Sequence, residues 1–369
     1  MTTSRTAVRI ASGAVSAFTA ISSARAKLYR AGLLRQRHLR AKVISVGNIT
    51  WGGTGKTPFV LWLAARLQTA GLHVSILTRG YRRTSRERII VLPPGFPPYK
   101  ALDYGDEVQL FLRHLQIPIG IAASRYEAGR SLEQKYAIDV HLLDDGFQHL
   151  QLSRDLDLVL LDSENPWGAR GELPRLLRES PQALKRAQAI LFTRCDPAGA
   201  SCNGSLGALK EYVQQIHPGA PSYSVSTRFL GFAEASQLHP TSGSPPGRAV
   251  AFCGLGNPGG FFTTLSRASI PIAVKKIFPD HHRYSLSDLH LLKDLVSKSN
   301  ADCFITTEKD LVNLPQGFSF PRPLYWAAVE SYLHEEDKFL SLLGEKLGWS
   351  DRFHSQGHLA APPLSRVSS

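Results

Sequence analysis

The chain has 369 residues, 43% of them hydrophobic, which is enough for a buried core in one large or two ordinary domains and excludes a disordered chain. Its 43 Lys and Arg against 30 Asp and Glu give a net charge of +13, which indicates an acidic partner such as nucleic acid, an anionic membrane or a phosphorylated ligand. The four cysteines include no C-x-x-C pair, which argues against a disulfide framework or a structural zinc site.

The positive charge is concentrated at the N-terminus. Residues 1–42 contain nine basic side chains and no acidic one, whereas residues 43–369 contain 34 basic and 30 acidic side chains. Apolar residues recur there every three or four positions and predict an amphipathic helix with a basic face: Ile10, Ala14, Ala17, Ile21, Ala24 and Leu28. The uncharged stretch 10–24 is too short to cross a bilayer, which needs about 20 residues.

We therefore expect residues 1–42 to form a basic amphipathic segment that associates with an anionic membrane surface. Two alternatives stay open on the residues alone. The helix can instead dock on its own domain, because its apolar stripe is mostly alanine. It also has some features of a secretory signal.

From residue 42 onward, continuous apolar runs alternate with helical patterns, as in a parallel sheet that helices cover on both faces. The runs lie at 43–47, 73–78, 117–122, 138–143, 157–162 and 188–193. A second unit begins near residue 222, with a helix over 286–298 and strands near 222–227, 248–253, 271–277 and 302–306. The expectation is an α/β fold with a mostly parallel sheet, divided into a larger domain (43–221), a smaller α/β domain (222–348) and a disordered tail (349–369).

A glycine-rich loop follows the first of these strands. Residues 47–58 read G-N-I-T-W-G-G-T-G-K-T-P and lead into an apolar helix, which is the context of a phosphate-binding P-loop. Thr50 stands where the strict pattern has glycine. Backbone amides of such a loop bind phosphate oxygens, Lys56 can reach the β- and γ-phosphates, and Thr57 can ligate Mg²⁺. The larger domain is therefore predicted to be P-loop NTPase-like, with its nucleotide site formed by Gly52, Gly53, Thr54, Gly55, Lys56 and Thr57.

Acidic residues mark two further places. Asp144 and Asp145 end an apolar strand beside the expected loop, where one carboxylate would hold Mg²⁺; a helix-capping turn is the alternative. Asp106 opens an apolar helix and His281 lies in a loop of the second unit. A carboxylate paired with histidine can take the proton of a hydroxyl acceptor. The residues alone do not place Asp106 beside His281, and helix capping and a solvated loop stay open for them.

In order along the chain, these motifs resemble the tetraacyldisaccharide 4'-kinase family, the lipid A 4'-kinases of Gram-negative bacteria. The resemblance extends over about residues 8–315 and rests on Val46–Ile49, Gly52–Pro58, Arg79–Tyr81, Gly105–Glu107, Asp144–His149, Leu177–Glu179, Gly254–Pro258, Phe278–His281 and Thr306–Asp310. It implies transfer of the ATP γ-phosphate, with Mg²⁺, to the 4'-hydroxyl of a tetraacylated glucosamine disaccharide 1-phosphate. It also implies a peripheral protein on the cytoplasmic face of the inner membrane, held there through the N-terminal helix.

The resemblance also implies a role for individual residues. Asp106 would be the catalytic base, with His281 as its partner, and Asp145 would lie at the reacting phosphate. Thr57 and Asp144 would ligate Mg²⁺. Contacts to phosphates or to the acceptor are implied for Asn48, Arg79, Gln148 and Arg178.

The lipid-linked disaccharide and an anionic membrane surface are the expected partners, with no nucleic acid and no obligate protein partner. A P-loop ATPase that binds nucleic acid and a kinase for a soluble small molecule are the alternatives. The near-neutral charge of residues 43–369 argues against the first of these.

Overall fold

A computed structural model describes residues 19–168, 177–195, 205–241, 245, 247–315 and 317–354. The described residues contain twelve strands: β1 Lys42–Gly47, β2 Val74–Thr78, β3 Ile89–Leu92, β4 Ile119–Ala122, β5 Val140–Asp144, β6 Leu156–Asp162, β7 Ala189–Thr193, β8 Ser222–Glu234, β9 Ala249–Cys253, β10 Ile272–Ile277, β11 Cys303–Thr307 and β12 Leu324–Leu333. All of them join one sheet in the order β10-β9-β11-β12-β8-β7-β6-β1-β5-β2-β4-β3. The predicted α/β fold with a mostly parallel sheet is confirmed.

Helices connect most of these strands. They are α1 over residues 19–30, α2 Lys56–Thr69, α3 Asp106–His114, α4 Arg125–Lys135, α5 Ser205–Ile216, α6 Pro258–Arg267, α7 Leu286–Ser299, α8 Glu308–Leu311, α9 Glu336–Leu347 and α10 Ser350–His354. Short 3₁₀ turns occur at Pro98–Lys100, Leu102–Tyr104 and Pro181–Arg186.

Two mostly parallel half-sheets make up the large sheet and run in opposite directions; the edge strand β3 is antiparallel to β4. Strand β8 is parallel to β7, whereas β12 is antiparallel to β8 from Tyr325 opposite Glu234 to Leu333 opposite Val225. Strands β11, β9 and β10 then run parallel to β12. The antiparallel β8–β12 pair therefore joins the two halves of the chain within one sheet.

The apolar runs predicted the strands of the first half well, since all six correspond to β1, β2, β4, β5, β6 and β7. Three features differ from the expectation. Strand β3 was not predicted, β8 extends to Glu234 and not only to residue 227, and β12 was not predicted. The last two form the junction between the half-sheets, so the sequence pattern missed the element that connects them.

The helix that follows the glycine-rich loop is anchored by the main core. Phe59, Leu63 and Leu67 of α2 are fully buried against β1 and its neighbours. Phe339 of the C-terminal helix α9 packs on them, with its ring centroid 6.1 Å from that of Phe59. Each such side chain contributes about 1.5–3 kcal/mol on burial. The start of α2, where Lys56 lies, is therefore held by a rigid layer.

The structure describes part of the predicted N-terminal helix and part of the tail that was expected to be disordered. Helix α1 contains Ile21, Ala24 and Leu28 of the predicted apolar stripe, and all three are exposed, Ile21 to 67%. Ala26, which is not part of that stripe, is buried. Residues 1–18 lie outside the described residues. None of the described helices combines the length and the apolar character that crossing a membrane requires. Residues 350–354 are helical, where a disordered tail was expected, and 355–369 lie outside the described residues.

Candidate active site

A cavity of about 1210 Å³ lies where the carboxyl ends of both half-sheets meet. Residues that follow β1, β2 and β5 line one wall, and residues that follow β9 and β11 line the opposite wall. Arg25 of α1 also reaches it. Ligand sites of open α/β sheets lie outside the carboxyl ends of the strands, so this cavity is where the predicted site residues should meet.

The predicted phosphate loop forms one wall of this cavity, and residues 52–57 all line it. Gly52 and Gly55 have positive φ angles of 122° and 82°, a conformation that glycine adopts without strain. Gly55 is the N-cap of α2 and offers no capping side chain. The first amide groups of α2 therefore remain available to an anion.

The buried Asn48 side chain is hydrogen-bonded to two residues of the phosphate loop. Its side chain is fully buried and its Nδ2 donates to Thr50 Oγ1 (3.2 Å) and to Thr54 Oγ1 (3.1 Å). Gln148 donates to the Asn48 carbonyl (2.9 Å) and to Glu179 (3.0 Å), and it also lines the cavity. Asn48 is thus placed to shape the phosphate loop from below, while Gln148 links the loop to the cavity wall.

The two acidic residues that end β5 have opposite electrostatic environments. Asp145 lies 3.5 Å from Lys56 Nζ and accepts two hydrogen bonds from Arg178 Nη1, at 2.6 and 2.8 Å. Burial would raise the pKa of Asp145, but Lys56 and Arg178 outweigh burial and hold that pKa well below its usual range. For Asp144, burial and the adjacent Asp145 charge raise the pKa to about 6, and Thr78 is its hydrogen-bond donor, at 3.4 Å.

Asp106 and His281 contact each other, although 175 positions separate them in the sequence, and His281 lines the cavity. His281 Nδ1 lies 2.7 Å from Asp106 Oδ2, and both side chains are mostly buried. Burial opposes ionisation of Asp106, but the hydrogen bond from His281 and the charge of Lys309 lower its pKa below the usual range. Burial and the Asp106 charge raise the pKa of the adjacent Glu107.

The local backbone explains how Asp106 reaches this position. Gly105 precedes it with φ 104°, and a Cβ on Gly105 would lie 2.7 Å from the Tyr81 carbonyl oxygen. Asp106 is the first residue of α3 and forms no side-chain cap of the helix; Gly105 is the N-cap. The helix-capping alternative for Asp106 was therefore wrong.

An arginine cluster that sequence reasoning largely missed faces the same cavity. Arg25, Arg79, Arg125 and His149 all line it. Burial and the nearby arginines lower the pKa of His149 to about 3, and its buried Nε2 has no hydrogen-bond partner among the residues that the structure describes. Of these four residues, only Arg79 was among the predicted site residues. Arg125 follows β4 at the start of α4, so its place at the carboxyl end of a strand was the available signal.

The structure also gathers three potential metal-ligating groups. Asp106, Glu107 and His281 offer ligand atoms that lie within 4.8 Å of one another. The ammonium group of Lys309, however, is only 3.1 Å from His281 Nε2. A cation bound there would be repelled at short range, so this cluster is better suited to holding a proton than a metal.

The fold and its loop define a class, the P-loop kinases, in which a glycine-rich loop presents a nucleotide phosphate to an acceptor in the neighbouring cavity. Comparison with known proteins gives the particular family. Residues 11–348 match the family described as Tetraacyldisaccharide-1-P 4'-kinase, and the chain belongs to that family.

Individual relatives agree with this assignment. The chain is 38% identical over 300 residues to a Tetraacyldisaccharide 4'-kinase of Syntrophobacter fumaroxidans, covering 78% of this chain and 77% of the relative. It is 35% identical over 330 residues to one of Koribacter versatilis, covering 88% and 94%. A crystal structure of LpxK from Aquifex aeolicus in complex with ATP is similar with a TM-score of 0.69 and 28% identity, covering 89% of this chain and 96% of that one.

Proposed function

We propose that this enzyme transfers the γ-phosphate of ATP to the 4'-hydroxyl of a tetraacylated glucosamine disaccharide 1-phosphate, a precursor of lipid A. The observation that carries the proposal is one cavity lined by a phosphate loop and by His281, which contacts Asp106, in a chain of this family. The relatives' names give the acceptor, and ATP is bound in the similar crystal structure.

The loop and Lys56 bind the nucleotide. The amide N–H groups at the start of α2 donate to the phosphate oxygens, and the Lys56 ammonium group neutralises charge on the β- and γ-phosphates. In the structure that ammonium group already contacts Asp145, which Arg178 also holds. Asp145 and Arg178 thereby orient Lys56 at the reacting phosphate.

Mg²⁺ is the expected companion of ATP, and Thr57 with Asp144 are the residues that would hold it. Asp144 suits a divalent cation, because its carboxylate is buried beside a second negative charge and its hydrogen bond from Thr78 is long, at 3.4 Å. Hydroxyl and carboxylate oxygens are the ligands that Mg²⁺ prefers. When bound, the ion neutralises charge on the β- and γ-phosphate oxygens.

Asp106 accepts the proton of the acceptor hydroxyl. The 4'-oxygen forms a bond to the γ-phosphorus while the bond from that phosphorus to the β–γ bridging oxygen breaks, ADP leaves, and the hydroxyl proton passes to Asp106. Because its pKa is low, Asp106 is ionised and ready to accept the proton at neutral pH. The His281 N–H hydrogen bond orients the carboxylate.

An anionic acceptor matches the arginine cluster. Arg25, Arg79 and Arg125 place three guanidinium groups on the cavity, and His149 is kept neutral among them. Such a cluster binds phosphate groups through charge-assisted hydrogen bonds. Gln148, which donates to the Asn48 carbonyl, and Arg178, which donates to Asp145, would complete the acceptor contacts.

The N-terminal helix α1 would associate with the membrane that carries this lipid, on its cytoplasmic face. The helix contributes Arg25 to the cavity and leaves Ile21 and Leu28 exposed. Deletion of residues 1–30 should abolish co-sedimentation with anionic liposomes and leave binding to ATP intact. If the intact chain does not bind these liposomes, the membrane assignment fails.

We propose that residues 43–221 form the kinase domain and that residues 222–348 form the domain that closes over the cavity. His281 lies in the second and Asp106 in the first, and the loop after β2 also contacts the second through the Arg82 guanidinium group on the His281 carbonyl. Closure would exclude water from the γ-phosphate and limit hydrolysis.

The test uses purified full-length protein with ATP and the tetraacylated disaccharide 1-phosphate. We expect a bis-phosphate whose new phosphate is at the 4' position by NMR, and no product from an acceptor that lacks the 4'-hydroxyl. Lys56→Met should abolish product formation. ATP hydrolysis that depends on an oligonucleotide, or phosphorylation of a soluble sugar alone, would favour the alternatives over this function.

A further inference from the structure

Lys309 lies beside both members of the Asp106–His281 pair. Its Nζ is 3.1 Å from His281 Nε2 and 3.3 Å from Asp280 Oδ1. It is also 3.9 Å from Asp106 Oδ2. The ammonium group is therefore within hydrogen-bond distance of His281 Nε2, while the Asp106 carboxylate is within hydrogen-bond distance of His281 Nδ1.

These two contacts determine which ring nitrogen of His281 carries the proton. An ammonium group has three donors and no acceptor, so at hydrogen-bond distance it requires His281 Nε2 to accept. The proton of the neutral ring then lies on Nδ1, which donates to Asp106 at 2.7 Å. The Nε2–H tautomer would turn an N–H group towards the ammonium group and remove the imidazole donor from Asp106 Oδ2.

The position of Lys309 is fixed by its neighbours in the short helix α8. Glu308 accepts hydrogen bonds from Arg113 (2.7 Å) and His114 (2.8 Å) at the end of α3, the helix that begins with Asp106. On its other side, Asp310 accepts from the Gly254 amide at 2.7 Å.

Gly254 in turn accepts from the backbone amide of His281, at 3.2 Å. A Cβ on Gly254 would lie 2.9 Å from the Pro279 carbonyl oxygen, so glycine is needed for this approach. The segment around Lys309 is therefore hydrogen-bonded to the helix that begins with Asp106 and, through Gly254, to the loop that contains His281.

We propose that Lys309 is a positioning residue that holds His281 in the Nδ1–H tautomer, so that the imidazole donates to Asp106 while Asp106 acts as base. The assignment rests on the proposed function for the role of Asp106. The tautomer itself does not depend on that role. Lys309 acts through His281, whose Nε2 lies 3.1 Å from its ammonium group.

Several charges besides Lys309 face Asp106, and a pH profile reports on all of them. Glu107 is on the same helix, His281 and Asp280 come from the loop after β10, and Arg82 comes from the loop after β2. The charge of Lys309 is one of the causes that lower the pKa of Asp106. Loss of that charge should move the acidic limb of the profile to higher pH.

The direct test is an NMR measurement of the imidazole on full-length protein labelled with ¹⁵N-histidine. The His281 signals are assigned by their loss in His281→Asn. In the wild type we expect a protonated Nδ1 and an unprotonated Nε2. In Lys309→Met we expect a mixture of tautomers or a protonated ring, and in Lys309→Arg the wild-type pattern. Unchanged His281 signals in Lys309→Met would overturn the proposal.

Kinetics supply a second readout. Lys309→Met should lower kcat by about 10- to 100-fold and leave the KM for ATP within about twofold, since the side chain acts on the proton acceptor alone. Lys309→Arg should recover most of the activity. Lys298→Met, on the exposed side of α7, is the matched control and should behave as the wild type.

The outcomes separate the two proposals. If the wild type does not phosphorylate the lipid acceptor, the proposed function fails, while the NMR result still reports on the tautomer because it needs no acceptor. If the wild type is active but Lys309→Met keeps its kcat and pH profile, the positioning role fails and the function stands. Circular dichroism of each variant verifies that it is folded.

Discussion

Asp144→Asn should stabilise the ligand-free protein while it abolishes catalysis. Burial and the Asp145 charge raise the pKa of Asp144 from 3.8 to about 6, and its side chain is almost entirely buried. At about 1.4 kcal/mol per pKa unit, ionising this carboxyl in the folded protein costs about 3 kcal/mol. The substituted amide keeps the acceptor for Thr78 and carries no charge, so it removes that cost.

The pH dependence has a definite sign. The folded protein holds the Asp144 proton more tightly than the unfolded chain, so the wild type loses stability as the pH rises from about 4 to about 7. Asp144→Asn should therefore raise the free energy of unfolding by up to about 3 kcal/mol at pH 8 and change it little at pH 4.

Urea unfolding followed by tryptophan fluorescence, without metal or nucleotide, measures this difference. Asp145→Asn is the matched control at the adjacent position. It should destabilise the protein at pH 8, because the Asp145 carboxylate is stabilised by Lys56 and Arg178. If Asp144→Asn has no effect at pH 8 or destabilises the protein there, burial and the Asp145 charge do not disfavour the ionised Asp144 carboxylate, and the prediction is refuted.

Two further predictions concern how the halves of the site are held. Gly105→Ala places a Cβ 2.7 Å from the Tyr81 carbonyl oxygen at a positive φ, which should lower the free energy of unfolding by about 1–3 kcal/mol and also lower kcat. Gly207→Ala is the control, because its Cβ would lie in open space on α5, and it should lower neither quantity. Thermal unfolding and kinetic assays measure the two effects. Glu308→Gln leaves the mostly buried guanidinium group of Arg113 without its anion, so the free energy of unfolding in urea should fall by about 3 kcal/mol at pH 8. The loss should be smaller at acid pH, where Glu308, whose pKa is lowered in the folded protein, becomes protonated in the wild type as well. No change at pH 8 would contradict this.

The sequence predicted the parallel strands better than the way in which they are joined. Runs such as 157–162 are uniformly apolar because helices cover both faces, and this pattern is visible in one segment alone. Strand β12 includes Glu330 and Ser331 among its apolar residues, and its pairing with β8 depends on residues about 100 positions away. Such a pairing leaves no local signal, which is why the junction between the half-sheets was missed.

The same distinction holds for the site. The phosphate loop is contiguous in sequence, so its residue types and spacing sufficed to predict it. Asp106 and His281 lie on opposite half-sheets, and only the family resemblance paired them. Lys309 was part of a recognised motif without a role, because its contact with His281 exists only once α8 docks beside that loop.

The measurement that tests the central claim most directly is the single-turnover rate of phosphoryl transfer by Asp106→Asn at saturating ATP and lipid acceptor. Loss of the proton acceptor should lower this rate by about 10²- to 10⁴-fold while the Kd for ATP is unchanged, because the nucleotide binds through the phosphate loop and Lys56 and not through Asp106. A rate within a few-fold of the wild type would contradict the assignment of Asp106 as the base.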